Sequence, residues 1–197
     1  MSARMPLIAA LALTLSACAT PPGPVQVTRF NAPEKASLLG RGAIAIEAAP
    51  GMDADSLELA SYRAAVAREL VRLGYTEAAT GQGSQVAEVR LRRGVVQPVR
   101  EGGPVSVGVG GSTGSYGSGV GLGVGIDLSG KPMEQVMTEL AVVIRQRVTG
   151  EPIWEGRAEF GVKAGSPLAE TQLAAPHLAE ALFVDFPGKS GETFEVK

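Results

Sequence analysis

The alternation of apolar and polar residues predicts β-strands over much of the chain. Apolar residues recur at every second position in several segments, which is the period of a strand with one buried face. A short turn around Gly150 separates the last two of these segments, so we expect them to pair as an antiparallel hairpin. The predicted strands are residues 25–30, 42–47, 86–99, 134–148 and 152–162.

A period of three and four residues predicts two helices. At the start of the first helix, Asp55 with Glu58 three residues later resembles a capping box, and Gly74 stands where a C-cap belongs. The second helix is predicted at residues 176–186, because Pro176 suits a first turn. The residues expected to be buried are Leu59, Tyr62, Val66, Leu70 and Leu73 in the first helix, and Leu178, Ala181 and Leu182 in the second.

Together these elements predict one α+β domain at residues 25–197, with a mainly antiparallel sheet and two helices packed on one face. Hydrophobic residues make up 45% of the 197-residue chain, which is enough for a buried core. The formal net charge of −2 gives no indication of nucleic-acid binding. We therefore expect no nucleic-acid partner.

A glycine-rich segment at about residues 102–130 keeps the strand alternation and predicts a second hairpin. Aliphatic residues alternate with glycine or serine on both sides of a turn-rich stretch at residues 111–118. This pattern predicts one aliphatic face and one nearly bare face, and a bare face indicates either close packing against something else or a need for flexibility. The residues expected to contact a partner are Val105, Val107, Val109, Tyr116, Val120, Leu122 and Val124.

The first seventeen residues have the organisation of an export signal. Arg4 precedes an apolar run at residues 7–15. This run is shorter than the ~20 residues that a membrane-spanning helix needs, so the segment is typical of a signal peptide at residues 1–17. The last three residues of this segment and the cysteine that follows resemble the lipobox of bacterial lipoproteins. These residues are Leu15, Ser16, Ala17 and Cys18.

The resemblance to a lipobox implies a covalent lipid on Cys18. In bacterial lipoproteins the thiol forms a thioether to diacylglycerol, the peptidase recognises the three preceding residues and cuts before the cysteine, and a further acyl chain such as palmitate makes the attachment stable. Cys18 is the only cysteine, so no disulfide competes for it. Residues 18–24 are then expected to be a lipidated N-terminus and a proline-rich stalk.

The same resemblance implies a location. Ala19 stands where an aspartate retains many such proteins on the inner membrane of enteric bacteria. We therefore expect a lipid anchor in the outer membrane and a domain in the periplasm.

The order of motifs along the chain resembles that of a known family. The motifs after the lipobox are an alternating strand at residues 43–47, a helix ending at residues 72–75, the glycine-rich hairpin, a strand pair containing residues 153–156, and an ending at residues 181–188. This order resembles the domain-of-unknown-function 4136 family of bacterial envelope lipoproteins. The resemblance implies a small α+β periplasmic domain, and the family brings no established catalytic residues.

The sequence gives little support for a catalytic site or a cofactor-binding motif. His177 is the only histidine and stands at the predicted start of a helix, where a surface position is expected. A dinucleotide fingerprint is broken at Thr113, and a phosphate-loop pattern ends in Pro132 instead of Ser or Thr. We therefore expect no catalytic residues, no metal site and no cofactor beyond the covalent lipid.

Four arginines on predicted neighbouring strands suggest an anionic contact: Arg90, Arg92, Arg145 and Arg147. Such a group suits lipid phosphates, lipopolysaccharide or an acidic partner. The alternative is a solvated sheet face with local ion pairs.

These observations favour a non-catalytic binding or scaffolding component of the cell envelope, with membrane lipid and an envelope protein as its partners. Two alternatives stay open. An oligomeric pore or secretion subunit would insert the glycine-rich hairpin into a membrane, because its two segments are roughly ten residues long. An unrecognised envelope hydrolase would use acidic or serine residues that the sequence does not single out.

Overall fold

The computed structural model describes residues 23–97, 105–114, 117–126 and 133–197, the second and third of these by their backbone only. These residues form β-strands, two α-helices and two short 3-10 segments, Pro33–Leu38 and Pro167–Ala169. In chain order the strands and α-helices are β1 (Val25–Asn31), β2 (Ala43–Ala48), α1 (Leu57–Arg72), β3 (Thr76–Ala78), β4 (Gln85–Val96), β5 (Val105–Gly114), β6 (Gly117–Ile126), β7 (Gln135–Gln146), β8 (Pro152–Lys163), α2 (Thr171–Phe183) and β9 (Glu192–Val196).

The main sheet has seven strands in the order β3-β2-β4-β7-β8-β1-β9. The expectation of a sheet combined with helices is confirmed, but the sheet is mixed rather than purely antiparallel. Four neighbouring pairs are antiparallel, whereas β2 pairs in parallel with both β3 and β4. The reason is that α1 is a crossover connection: it carries the chain back along the sheet after β2, so the next strand runs in the same direction as β2.

The core lies between the sheet and the two α-helices, which contact each other and the sheet. The predicted positions of α1 are buried, except for Leu73, which is partly buried against the core. The predicted positions of α2 are also buried. The largest fully buried side chains include Trp154 of β8, Tyr62 of α1 and Phe183 of α2. The predicted pairing of β7 with β8 is confirmed.

Two helix starts differ from the sequence prediction. Ser56, not Asp55, caps α1, because its hydroxyl accepts a 3.3 Å hydrogen bond from the backbone N–H of Leu59. Helix α2 begins at Thr171, and Pro176 lies inside it. The proline removes the backbone donor for the carbonyl of Gln172, and both residues are exposed, so water can satisfy that carbonyl.

An aromatic cluster joins the end of α2 to β8. The Trp154 ring stacks on Phe183 with 5.3 Å between ring centroids and packs against Phe186 at 5.2 Å. The indole Nε1 donates a 3.0 Å hydrogen bond to the carbonyl of Pro187. Gly156 makes room for this cluster, because a Cβ atom there would collide with the indole.

A buried arginine on β1 contacts the segment between α2 and β9. Arg29 of β1 is only 3% exposed, and its Nε lies 2.5 Å from Oε1 of Glu192. Its guanidinium also donates to the carbonyl of Val184 and lies 4.6 Å from the centroid of the Phe194 ring. Gly188 adopts a left-handed φ of 70°, and a Cβ atom there would overlap the guanidinium. The ion pair therefore fixes the turn before β9.

Candidate functional site

The glycine-rich hairpin is inserted between two neighbouring strands of the main sheet. Strand β4 ends at Val96 and β7 begins at Gln135, and these two residues are paired. The connections to the hairpin therefore leave and re-enter the main domain side by side.

The predicted hairpin is present in the backbone as a two-stranded sheet of its own. In part of its register, aliphatic residues are opposite aliphatic residues and glycine is opposite glycine, as in Val107 with Val124 and Gly108 with Gly123. Towards the connection this pattern changes, and Gly111 is opposite Val120. The strands continue to Gly114 and Gly117, so the connection is shorter than the turn-rich stretch predicted from the sequence. Tyr116, one of the predicted contact residues, lies outside the described residues.

Exposed hydrophobic residues concentrate at the end of the domain where the hairpin connections meet the sheet. Six of the nine exposed large hydrophobic side chains in the described part of the chain lie here, and we call them the apolar end. They include Leu57, which is 86% exposed, and Val95, which is 62% exposed. The apolar end comprises Leu57, Val95, Val96, Met133, Met137 and Leu173.

A polar network joins three of the elements that contribute to the apolar end, β4, α1 and α2. Arg93 of β4 lies 2.8 Å from Oε1 of Glu58 at the start of α1 and 3.1 Å from the hydroxyl of Thr171 at the start of α2. The Thr171 hydroxyl also donates to Glu58 at 2.9 Å. Because of these bonds, Leu57 and Leu173 sit beside the end of β4. The sequence could not reveal this group, because its members come from separate elements.

A shallow, open depression of about 240 Å³ lies beside the apolar end. At its rim the Glu139 carboxylate lies between two guanidinium groups, 3.7 Å from Arg92 and 3.6 Å from Arg157. The depression is lined by Arg92, Arg93, Gly94, Met137, Thr138, Glu139 and Glu159.

The four arginines of the predicted anionic contact have partners within the domain. Arg145 lies 3.0 Å from Glu88, Arg147 lies 2.7 Å from Glu47, and Arg92 is the neighbour of Glu139 described above. Arg90 donates to the carbonyl of Pro50 at 3.0 Å. This geometry is that of the alternative considered from the sequence, a sheet face with local ion pairs. An anionic partner for these residues stays a prediction.

One of these ion pairs is reinforced by the backbone. The N–H of Gly81 donates a 2.9 Å hydrogen bond to Glu47, and together with the Arg147 guanidinium it holds the pKa of that carboxyl below its usual range. Glu47 is therefore an ionised anchor for the edge of the sheet near β3.

Buried hydroxyl and imidazole groups do not form a catalytic arrangement in the described residues. The Tyr62 hydroxyl is buried without a hydrogen-bond partner there, and burial raises its pKa to about 12. His177 was expected at the surface of a first turn, but it is half-buried inside α2 because the helix begins earlier. Its ring packs edge-on to Phe160, with 5.8 Å between ring centroids.

Residues 15–18, which carry the predicted lipobox, lie outside the described residues. Within residues 23–97, 105–114, 117–126 and 133–197, no cluster of three or more His, Cys, Asp or Glu residues is arranged to hold a metal ion. No helix in the same ranges has both the length and the apolar character needed to cross a membrane.

Comparison with known proteins gives no family assignment, because no family model matches the chain. An uncharacterized protein from Zymomonas mobilis subsp. mobilis is 40% identical over 83 residues, which are 42% of this chain and 30% of that protein. The chain thus spans less than a third of the length of this relative.

Two solved structures share distant likenesses with the chain. A PDZ domain protein from Parabacteroides distasonis aligns with a TM-score of 0.49 and 10% identity, over 87% of this chain and 38% of that one. A PelC dodecamer from Paraburkholderia phytofirmans aligns with a TM-score of 0.42 and 11% identity, over 79% and 91%. Both TM-scores lie below 0.5, so neither likeness supports a conclusion about this chain.

Proposed function

We propose that the chain is a lipoprotein of the bacterial envelope, anchored in the outer membrane through Cys18, with its domain in the periplasm. Its proposed role is to bind or brace another envelope component without catalysing a reaction. The anchor is supported by the lipobox-like residues 15–18, by the short apolar run before them, and by the absence of any second cysteine.

The observation that carries the binding role is the glycine-rich hairpin. Strands β5 and β6 form a two-stranded sheet separate from the seven-stranded one. An isolated two-stranded sheet is at best marginally stable in water, so a hairpin of this length gains stability from a further contact. Paired valines and paired glycines along its register suit a partner that packs closely against the backbone.

Membership of the domain-of-unknown-function 4136 family is part of the proposal. Two of the motifs that carry the resemblance are far apart in sequence, at residues 153–156 and 181–188. They meet in the aromatic cluster of Trp154, Phe183 and Phe186. Such a contact gives a physical reason for the two motifs to occur together in one fold.

The anchor is tested by mass spectrometry of the mature N-terminus from fractionated envelope. We expect a diacylglycerol-modified, acylated Cys18 in the outer-membrane fraction, and loss of both the lipid and the membrane fraction in Cys18→Ala. Ser16→Ala is a matched control, because it keeps a small residue before the cut and should leave lipidation intact. An unmodified N-terminus in soluble periplasm would overturn the proposal.

The binding role is tested by replacing residues 104–128 with a short turn. A binding hairpin predicts that the shortened protein keeps its far-ultraviolet circular dichroism and its thermal transition but loses the envelope proteins crosslinked to the full chain. If the crosslinked proteins are the same with and without the hairpin, the hairpin is not the contact.

A pore or secretion subunit is the second candidate, and the length of the hairpin strands favours it. Strands β5 and β6 each contain ten residues, which matches the ~9–11 residues that a membrane-spanning strand needs. This candidate predicts oligomers that survive detergent and a hairpin protected from protease in liposomes. A hairpin cleaved in liposomes at the rate seen in detergent would exclude it.

A further inference from the structure

The chain enters the domain at the apolar end. Gly23 is the first described residue, and a Cβ atom built on it would stand 3.4 Å from the backbone oxygen of Gly161. Gly161 of β8 is paired with Met137 of β7, which belongs to the apolar end. The N-terminal entry and the exposed apolar side chains therefore share one end of the sheet.

Cys18 is close to this end along the chain. Five residues lead from Cys18 to Gly23, and five residues span at most about 18 Å even when fully extended. Strand β7 alone has 12 residues and is roughly 40 Å long. A lipid on Cys18 would therefore hold the apolar end near the bilayer and leave the opposite end of the sheet far from it.

We infer that the apolar end docks on the lipid bilayer, with its exposed side chains in the headgroup region. This inference rests on the proposed lipidation of Cys18. Apolar side chains at a membrane interface leave water, and the stabilisation grows with the apolar area that they bury. The two methionines suit this contact, because their flexible side chains adapt to an irregular surface.

The charges around the apolar end are mixed, so the contact depends on apolar burial rather than on anionic lipid. Lys163 is exposed there and is paired with Gln135 at the start of β7. Glu134 beside it is negative and accepts a 2.7 Å hydrogen bond from Gln97. Docking is therefore expected on zwitterionic as well as anionic membranes, with little dependence on salt.

Docking of this end would also place the start of the glycine-rich hairpin close to the membrane. Its two connections leave the main domain after Gln97 and return at Met133. Both residues lie at the apolar end, so the hairpin would start from the membrane surface and meet its partner near the lipid.

Single-cysteine labelling of the full-length lipoprotein tests the docking. The thioether blocks Cys18, so a fluorophore reacts only with the engineered thiol. Met133→Cys and Leu57→Cys place the label at the apolar end. Val148→Cys and Val71→Cys are matched controls, because both valines are exposed, Val148 in the turn after β7 and Val71 in the last turn of α1. Each variant is reconstituted in phosphatidylcholine vesicles that contain a headgroup nitroxide lipid, which quenches nearby fluorophores.

We expect quenching at both labels of the apolar end and none at the two controls. Mass spectrometry of the same samples shows whether Cys18 carries its lipid. With the lipid present, equal quenching at the two ends, or none at either, overturns the docking and leaves the anchor intact. If the lipid is absent, the proposed function fails, and the docking fails with it because nothing tethers this end.

A charge at the apolar end provides a second test. Met133→Asp, with the label at Leu57→Cys, should reduce quenching while the protein stays on the vesicles through its lipid. Val148→Asp with the same label is the control and should leave quenching unchanged. If Met133→Asp does not change quenching, the bilayer is not the partner of this end. The same follows if the Met133→Cys label shows no quenching and a crosslinking reagent on the same thiol captures an envelope protein in whole cells.

Discussion

The indole Nε1 of Trp154 donates a 3.0 Å hydrogen bond to the backbone carbonyl of Pro187, 33 residues further along the chain. The same ring stacks on Phe183. This contact ties the segment after α2 to the sheet and positions the turn that leads to β9.

Trp154→Phe is expected to lower the free energy of unfolding by about 1–3 kcal/mol, because it leaves the Pro187 carbonyl without its donor while keeping an aromatic ring. Trp154→Ala removes the ring as well and should cost about 3–5 kcal/mol. Urea unfolding followed by circular dichroism measures both values. A Trp154→Phe protein as stable as the parent would show that the hydrogen bond contributes little.

Gly156→Ala is expected to destabilise the fold by about 1–3 kcal/mol, because the added Cβ would collide with the Trp154 indole and with Leu182. Gly94→Ala is the matched control. Gly94 also lies in a strand of the main sheet, and a Cβ there would meet no atom within 4 Å. Thermal unfolding should separate the two variants, and equal melting temperatures would contradict the predicted crowding.

Acid should weaken the ion pair between Glu192 and Arg29. The backbone N–H of Lys189 and the Arg29 guanidinium hold the pKa of Glu192 below its ordinary value of 4.5. A carboxyl with a lowered folded-state pKa stabilises the fold at pH values above 4.5, and this stabilisation is lost as the pH falls through the folded-state pKa. Urea unfolding between neutral and acid pH measures the loss.

Glu192→Gln removes the titrating group and should flatten the acid part of that stability profile. The same variant should be less stable than the parent at neutral pH, because Arg29 is buried and loses its carboxylate partner. Glu195→Gln is a control on the same strand. An unchanged acid profile in Glu192→Gln would assign the pH dependence to other carboxyls.

Alkali should destabilise the fold through Tyr62. Burial raises the pKa of Tyr62 to about 12 from an ordinary value of 10.0. Between these values the unfolded chain loses the phenolic proton and the folded protein keeps it, so stability falls as the pH rises. Tyr62→Phe should reduce this fall and, at neutral pH, leave stability unchanged or raise it by about 1 kcal/mol. Urea unfolding at pH 7 and at pH 11 tests both statements, and a steeper alkaline loss in the variant would refute them.

Elements whose pattern lies within one short segment of the sequence could be predicted from that segment. Helix α1 was predicted because its apolar period repeats over four turns, and the β7–β8 hairpin because a short turn joins two alternating segments. The glycine-rich hairpin followed from the same alternation. The true N-cap of α1 was missed by one residue, because Asp55 and Ser56 both suit a helix start in sequence and only the backbone path selects one.

Short strands at the edges of the sheet were beyond prediction. Strand β3 has three residues, which is too short for a periodic pattern, and β9 has five, with apolar residues only at Phe194 and Val196. They exist because β2 and β1 offer them a hydrogen-bonding edge. Without β3, the parallel pairing around β2 could not be anticipated either.

The sequence by itself determined features that depend on contiguous residues: the main helix and the two hairpins. The export signal and the lipobox at residues 15–18 depend on contiguous residues too, and they stay predictions. Only the tertiary structure decided which distant side chains meet. Arg145 pairs with Glu88, 57 residues away, and Arg147 pairs with Glu47, 100 residues away, so two of the four arginines of the predicted anionic contact lie in ion pairs that the sequence did not show. The apolar end likewise exists only in the folded chain, because sheet pairing and helix packing bring its separate segments together.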